Sequence, residues 1–249
     1  MIDKKPCVRI TLTNTKPSVF ESKIGGYGYI PHDGDFPHDD EGNQLRLLAQ
    51  IDCSQVDFEN FPKSGLLQFW ILNDELYGWD SGKLIQDTFR VIYYPETDAT
   101  VTEEEIASKF VKNAYDEEYP LPIDKECGML FASGESFLCP EIDLDADEEE
   151  EEKLWDEYGK LTSQYPNHQI GGYPYFTQDD PRDEDGYPYF AQDDPRRKQN
   201  APYDFLLFQL DSDSDKVLWG DVGIGNFFIN TEKLKNLDFT DVLYNWDCG

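Results

Sequence analysis

The chain has 249 residues, 39% of them apolar and 14% aromatic, so it is long and apolar enough to bury a sizeable core. Its 52 Asp and Glu against 21 Lys and Arg give a formal net charge of −31. This charge excludes nucleic acid and anionic membrane as partners, because both are bound through basic surfaces. The negative charge therefore indicates either a cationic partner or a simple gain in solubility.

No apolar run reaches the length of a signal-peptide core or of a membrane span. The five cysteines are scattered and include no Cys-x-x-Cys pair, which is typical of reduced thiols and does not indicate a metal site. We therefore expect a cytoplasmic protein with no cofactor and no metal.

Short β-branched and aromatic runs between turn residues predict strands in chain order at 8–14, 45–52, 66–72, 89–94, 129–132, 205–210 and 227–229. A capping box formed by Thr102 and Glu105 predicts a first helix, with Val101 and Ile106 as its hydrophobic staple. A second helix is predicted from about Asp147 through Leu161. These elements predict an α+β fold of mainly antiparallel sheets with a few helices.

The second helix begins with a run of carboxylates, which are favoured near the positive end of a helix. The run consists of Glu148, Glu149, Glu150, Glu151 and Glu152. It therefore reads as a solvated helix start, and it is also a candidate contact surface for a basic partner.

Two segments share an order of motifs. Ile-Gly-Gly-Tyr at 24–27 precedes Leu-Leu-Ala-Gln-Ile-Asp at 47–52, and Ile-Gly-Gly-Tyr at 170–173 precedes Leu-Leu-Phe-Gln-Leu-Asp at 206–211. This order predicts an internal duplication of about fifty residues. We expect one domain over 1–249, with halves at about 24–73 and 170–230 joined by a helix-containing segment, 74–169.

The second half also contains a near repeat, GGYPYFTQDDPRDEDGYPYFAQDDPR, at 171–196. Gly26 and Gln50 are 24 residues apart, whereas Gly172 and Gln209 are 37 apart, and removing one fourteen-residue copy leaves 23. Residues 183–196 are therefore predicted to be a loop insertion, with the first copy docked in the fold. Loops accept such insertions at little cost in closure entropy.

Four motifs are candidate sites. The alternating acids DSDSD at 211–215 do not fit an EF-hand, because Lys216 and Val222 occupy the positions of the required Gly and Glu, so a turn is favoured. Trp219, Asp221 and Asn226 in WGDVGIGN could form a pocket floor, although a strand entered through a glycine turn is favoured.

Tyr173 and Tyr175 could likewise form an aromatic binding surface or a strand edge packed on the core. The two halves also present Gln50 with Asp52, and Gln209 with Asp211, in related positions. These pairs give an alternative function, a small-ligand binder or enzyme that uses a cleft between the halves.

The motifs Leu-Leu-Ala-Gln-Ile-Asp, Phe-Thr-Gln-Asp-Asp-Pro-Arg and Trp-Gly-Asp-x-Gly-x-Gly-Asn-Phe-Phe-Ile resemble the YwqG-like family of bacterial proteins over residues 16 to 246. The resemblance implies an α+β fold with an internal repeat. It supplies no catalytic residues, and some relatives lie beside secreted toxins. Our leading interpretation is a protein-binding module, favoured over an enzyme. Its specific form is an immunity protein that neutralises a toxin or another basic partner.

Overall fold

The computed structural model describes residues 2–80, 86–140, 148–162, 167–182, 186, 202–213 and 215–249. Ten strands are found in these residues. They are β1 Lys4–Thr13, β2 Lys23–Ile24, β3 Arg46–Asp52, β4 Leu66–Ile71, β5 Phe89–Tyr94, β6 Cys127–Phe137, β7 Gln169–Ile170, β8 Phe205–Asp211, β9 Ile224–Ile229 and β10 Val242–Asp247.

All ten strands belong to one antiparallel sheet with the order β10-β9-β8-β7-β1-β6-β2-β3-β4-β5. The sheet curls into a nearly closed barrel, because its two edge strands approach each other. The rings of Phe89 in β5 and Tyr244 in β10 are 5.3 Å apart. Gln86 spans the seam, since its Oε1 accepts the N–H of Val91 at 2.5 Å and its Nε2 donates to the carbonyl of Phe239 at 2.6 Å.

The main core fills the inside of this barrel. Phe69 of β4 stacks on Phe208 of β8 at 4.7 Å, and Phe227 of β9 lies 4.9 Å from Phe69, so side chains from opposite walls meet. Two smaller apolar clusters cover the outside of the barrel, one against β3 and β4 and one against β8, β9 and β10.

The described residues contain three α-helices, α1 Glu103–Ser108, α2 Glu148–Thr162 and α3 Thr231–Lys235. The N–H of Glu105 donates to the Thr102 side chain at 3.2 Å, as the capping box predicts. The carboxylate of Glu105 contacts His32 instead of the Thr102 amide, so the box is half formed.

The predicted α+β class is wrong, because the molecule is a barrel-like all-β fold. Both predicted helices are present, since the capping box at Thr102 precedes α1 and the helix predicted from about Asp147 through Leu161 is α2. However, only three α-helices lie in the described residues, and the main core is formed mostly by strand side chains inside the barrel, with Leu234 contributed by α3. Internal duplication is not shown. No helix in the described segments is both long and apolar enough to cross a membrane.

The first copy of the near repeat is docked. Phe176 stacks on Phe228 at 6.1 Å, and the guanidinium of Arg182 lies 3.8 Å from the Phe228 ring while donating to the Tyr203 carbonyl at 2.6 Å. Of the second copy, 185–196, only Gly186 lies within the described residues, and its carbonyl accepts the N–H of Tyr203 at 2.8 Å. The assignment of 183–196 as an insertion stays a prediction.

Candidate functional site

Gln50 is fully buried in β3 and holds the loop on either side of β2. Its Oε1 accepts the backbone N–H of Tyr29 at 2.8 Å and the side-chain amide of Gln68 at 2.8 Å. Its Nε2 donates to the carbonyls of Val19 at 3.0 Å and Glu21 at 2.9 Å. All four bonds fix protein groups, so the structure gives Gln50 a positioning role.

Gln209 makes the corresponding contacts in β8. Its Oε1 accepts the N–H of Tyr175 at 2.9 Å, and its Nε2 donates to the carbonyl of Asn167. The amide of Asn226 donates to the carbonyl of Tyr175 at 3.1 Å, as that of Gln68 does to Tyr29 at 2.8 Å. These side chains bind the backbone of neighbouring loops, and we therefore propose no ligand site between the halves.

Asp52 and Asp211 also support loops. The Oδ1 of Asp52 accepts the N–H of Ser54 at 3.0 Å and caps a short 3₁₀ turn. The Oδ2 of Asp211 accepts the N–H of Asn167 at 2.9 Å, and burial raises the pKa of the Asp211 carboxyl. The two carboxyls lie in different halves and are each bonded to their own loop.

Tyr173 and Tyr175 are half-buried against the sheet. The N–H of Tyr173 donates to the hydroxyl of Ser136 at 2.7 Å, and the ammonium of Lys5 lies 4.3 Å from the Tyr173 ring. Burial raises the pKa of Tyr175. Their packing on the barrel follows the strand-edge alternative, and their role as binding residues stays a prediction.

The acidic run Glu148–Glu152 begins α2, close to the predicted start. Within it, Glu149 and Glu152 are exposed, and Glu149 forms the expected ion pair with Lys153 at 2.8 Å. An exposed pair of this kind contributes little to stability. Glu149 and Glu152 are therefore solvated at the helix start, and contact of the run with a partner stays a prediction.

Trp219 and Asp221 lie at the end of the barrel where β4, β8 and β10 finish. The ring of Trp219 is fully buried, 5.5 Å from that of Tyr77 and stacked on that of Trp246 at 6.1 Å. The Nε1 of Trp246 donates to the carbonyl of Leu76 at 2.6 Å. This aromatic cluster ties the β4–β5 connection to the β8–β9 connection.

The segment before β6 packs beside this cluster. The N–H of Leu218 donates to the carbonyl of Pro122 at 2.7 Å, and the N–H of Asp124 donates to the carbonyl of Lys216 at 3.0 Å. An open cavity of about 470 Å³ lies here. It is lined by Tyr77, residues 120–124, Asp213, residues 215–218 and Gly220, and we call it the acidic groove.

Carboxylates dominate the charge of the acidic groove. Asp124, Asp213 and Asp215 line it together with one ammonium, that of Lys216, which lies 3.9 Å from the Asp213 carboxylate. Asp221 is exposed on the adjoining loop. The groove therefore offers a negative lining to a positively charged group.

The negative field extends to the neighbouring Tyr119, which precedes Pro120. The charge of Glu118 raises the pKa of the exposed Tyr119 hydroxyl, and Glu75 and Asp74 add to the effect. These three carboxylates lie around the same segment that forms one wall of the groove. A basic partner would thus meet negative charge on the approach as well as inside.

Exposed apolar side chains lie in or next to the segments that carry these carboxylates. Leu76, Leu218 and Val222 are exposed by 46%, 57% and 64%. Val222 also has a φ of 62°, a left-handed conformation that is unfavourable for a β-branched residue. Strained backbone of this kind is concentrated at functional sites.

Sequence reasoning found Trp219 and Asp221, which lie next to the groove, but it missed the groove itself, which Tyr77, residues 120–124 and Lys216 help to line. The proline-flanked Leu121, in Pro-Leu-Pro after an acidic stretch, was the available signal for an extended wall. No group of His, Cys, Asp and Glu in the described segments is arranged to hold a metal ion.

A family model described as a domain of unknown function, DUF1963, matches residues 22–248. Among curated proteins, no match was found. The YwqG-like name that the motifs suggested is not confirmed by the matching model. The match covers nearly the whole chain, including every strand from β2 to β10, and the chain therefore belongs to the DUF1963 family of domains of unknown function.

Proposed function

We propose that this protein is a cytoplasmic protein-binding module, and that its acidic groove binds a basic segment of a partner protein. The observation that carries the proposal is the combination, in one groove, of three carboxylates with the exposed side chain of Leu218, while Leu76 and Val222 are exposed on the adjoining connections. A concave surface that combines charged side chains with exposed apolar ones is typical of an interaction site. The specific role of an immunity protein rests on the family resemblance alone.

Electrostatics supports a basic partner. The net charge of −31 accelerates encounter with a positively charged protein, whereas the carboxylates that line the groove orient that protein there. Leu218 and Val222 then offer apolar area to aliphatic parts of the partner, such as the stems of Lys and Arg. Affinity therefore depends on both salt concentration and groove shape.

A defined probe tests the proposal. We would measure the anisotropy of a fluorescent twelve-residue peptide of alternating lysine and leucine at 20 and 150 mM salt. The groove-neutralised variant combines Asp124→Asn and Asp215→Asn in the groove with Asp221→Asn on the adjoining loop. The matched control combines Asp33→Asn, Glu41→Gln and Glu59→Gln, three exposed carboxylates outside the groove.

Both variants change the net charge by the same amount, so non-specific attraction falls equally in both. We expect the groove-neutralised variant to bind the peptide about tenfold more weakly at 150 mM salt, and the control to stay within about twofold of wild type. Equal loss in the two variants would show that the peptide senses only the overall charge, which would remove the groove from the account.

A further inference from the structure

Strand β6 is covered on one edge and open on most of the other. Its residues from Gly128 to Phe137 pair with β1, whereas β2 pairs only with Cys127 and Gly128. One further bond, from the N–H of Met129 to the carbonyl of Ser22, ends the contact on that side. Beyond Met129, this edge of β6 has no neighbouring strand in the described part of the chain.

The chain leaves the edge of β6 for an identifiable reason. Preceding β2 is a turn in which the N–H of Glu21 donates to the carbonyl of Ser18 at 3.3 Å. The amide of Gln50 holds the carbonyls of Val19 and Glu21, which directs this segment toward β3. Residues that would otherwise have continued β2 along β6 are therefore bound elsewhere.

The hydrogen-bond register shows which backbone N–H and C=O groups of β6 have no hydrogen-bond partner in the described residues. The N–H of Ile10 donates to the carbonyl of His168, so the backbone groups of Ile10 point toward β7. The backbone groups of its partner, Phe131, therefore point away from β1. Ser133 has the same orientation, because backbone groups alternate along a strand. The N–H and C=O groups of Phe131 and Ser133 have no protein partner among the described residues.

A cavity of about 520 Å³ adjoins the start of this open edge. Met129, Leu130 and Phe131 of β6 line it on one side, and Pro17 and Gln55 lie among the residues opposite. Leu130 is 62% exposed. An extended chain laid along β6 could place one apolar side chain in this cavity, which would fix its register.

We propose that the β6 edge at Phe131 and Ser133 receives an extended segment of the basic partner, which adds a strand in line with β2. This proposal rests on the proposed function and names its mode of recognition. The alternating N–H donors and C=O acceptors along this edge can form backbone hydrogen bonds with an extended polypeptide. A second copy of this chain is disfavoured as the occupant, because two chains of charge −31 repel each other.

The test uses Ser133→Pro, which removes one N–H from the open edge. Proline is tolerated on an edge strand where the N–H faces solvent, so the fold should persist. Ser133→Ala keeps the N–H and is the matched control. Peptides selected from a random twelve-residue library on the wild-type protein serve as the probe, and anisotropy gives their affinity for each variant.

We expect the selected peptides to bind Ser133→Pro at least tenfold more weakly and Ser133→Ala within twofold of wild type. Hydrogen exchange on the wild-type protein gives a readout that needs no variant. Bound peptide should slow exchange of the Phe131 and Ser133 amides at least tenfold. Failure to select any peptide, or unchanged exchange at both amides, would overturn the proposal.

The two sites are distinguished by the groove-neutralised variant defined above. Peptides that lose affinity for that variant but bind Ser133→Pro normally would overturn strand addition and leave the groove function standing. Peptides that lose affinity only for Ser133→Pro would support strand addition and count against the groove. Loss in both variants would place the two surfaces in one extended interface, which supports the proposal.

Discussion

The Oδ2 atom of Asp213 lies 3.9 Å from Nε2 of His168, an imidazole that is completely buried. The Nδ1 of His168 accepts the N–H of Asp211 at 3.0 Å, so the ring hydrogen of the neutral form is on Nε2. His168 lowers the pKa of Asp213 to about 2, and the Asp215 amide and Lys216 add to the effect. At 3.9 Å the two groups are too far apart for a direct hydrogen bond, so they interact electrostatically beside the turn that lines the acidic groove.

The contact predicts a pH-dependent contribution to stability. The folded pKa of Asp213 is below its unfolded value of about 3.9, so the stabilisation is fully present above about pH 5 and is lost as the pH falls toward 2. We expect Asp213→Asn to lower the free energy of unfolding by about 1–2 kcal/mol at pH 7. The difference from wild type should approach zero at pH 2.

Urea unfolding at pH 7, 5, 3 and 2 measures this difference. Asp215→Asn, an exposed neighbour in the same turn, is the control and should stay within about 0.5 kcal/mol of wild type throughout. A difference for Asp213→Asn that stays constant across the pH range would contradict the assignment.

Gln50→Ala should lower the free energy of unfolding by about 3 kcal/mol or more. The substitution removes four hydrogen bonds and leaves the Tyr29 N–H and the Val19 and Glu21 carbonyls without the amide that satisfies them. Gln178→Ala removes one bond at an exposed side chain and should cost under about 1 kcal/mol. Equal effects in chemical denaturation would show that Gln50 has no special positioning role.

Val222→Gly should stabilise the protein by about 1 kcal/mol, because it relieves the left-handed conformation at φ 62°. Val111 is exposed to nearly the same extent, 62% against 64%, but it is not among the residues with positive φ. Val111→Gly should therefore lower the unfolding free energy by about 0.5–1 kcal/mol. Thermal unfolding of the two variants gives opposite signs if the strain at Val222 is real.

Deletion of residues 183–196 should leave the free energy of unfolding within about 1 kcal/mol of wild type, because a change of loop length costs little closure entropy. The docked first copy keeps its contacts through Phe176 and Arg182 in this variant. Phe176→Ala should instead cost about 2 kcal/mol from lost burial. Loss of cooperative unfolding in the deletion variant would refute the insertion.

Most strand positions were predictable from the sequence, because Leu66–Ile71 and Phe89–Tyr94 are compact apolar runs between turn residues. The two-residue strands Lys23–Ile24 and Gln169–Ile170 were not, since they are too short to show periodicity. The fold class failed for a related reason. Whether a sheet closes on itself depends on contacts such as Phe89 with Tyr244, which are 155 residues apart in the chain.

The candidate site was predicted only in part. The glutamines and aspartates of the two halves stood out by their spacing, but the structure uses their side chains to hold loops. The acidic groove is assembled from three distant segments, near Tyr77, Pro122 and Leu218, and a single sequence does not show which loops meet.

Parallel affinity purification from the native host tests the central claim most directly. Tagged wild type, the groove-neutralised variant and the matched control are washed at low and then high salt, and the eluates are compared by mass spectrometry. We predict one stoichiometric basic protein that is released by salt from wild type and control and is missing from the groove-neutralised variant. Equal recovery on all three baits, or no stoichiometric basic protein on wild type, would contradict the account.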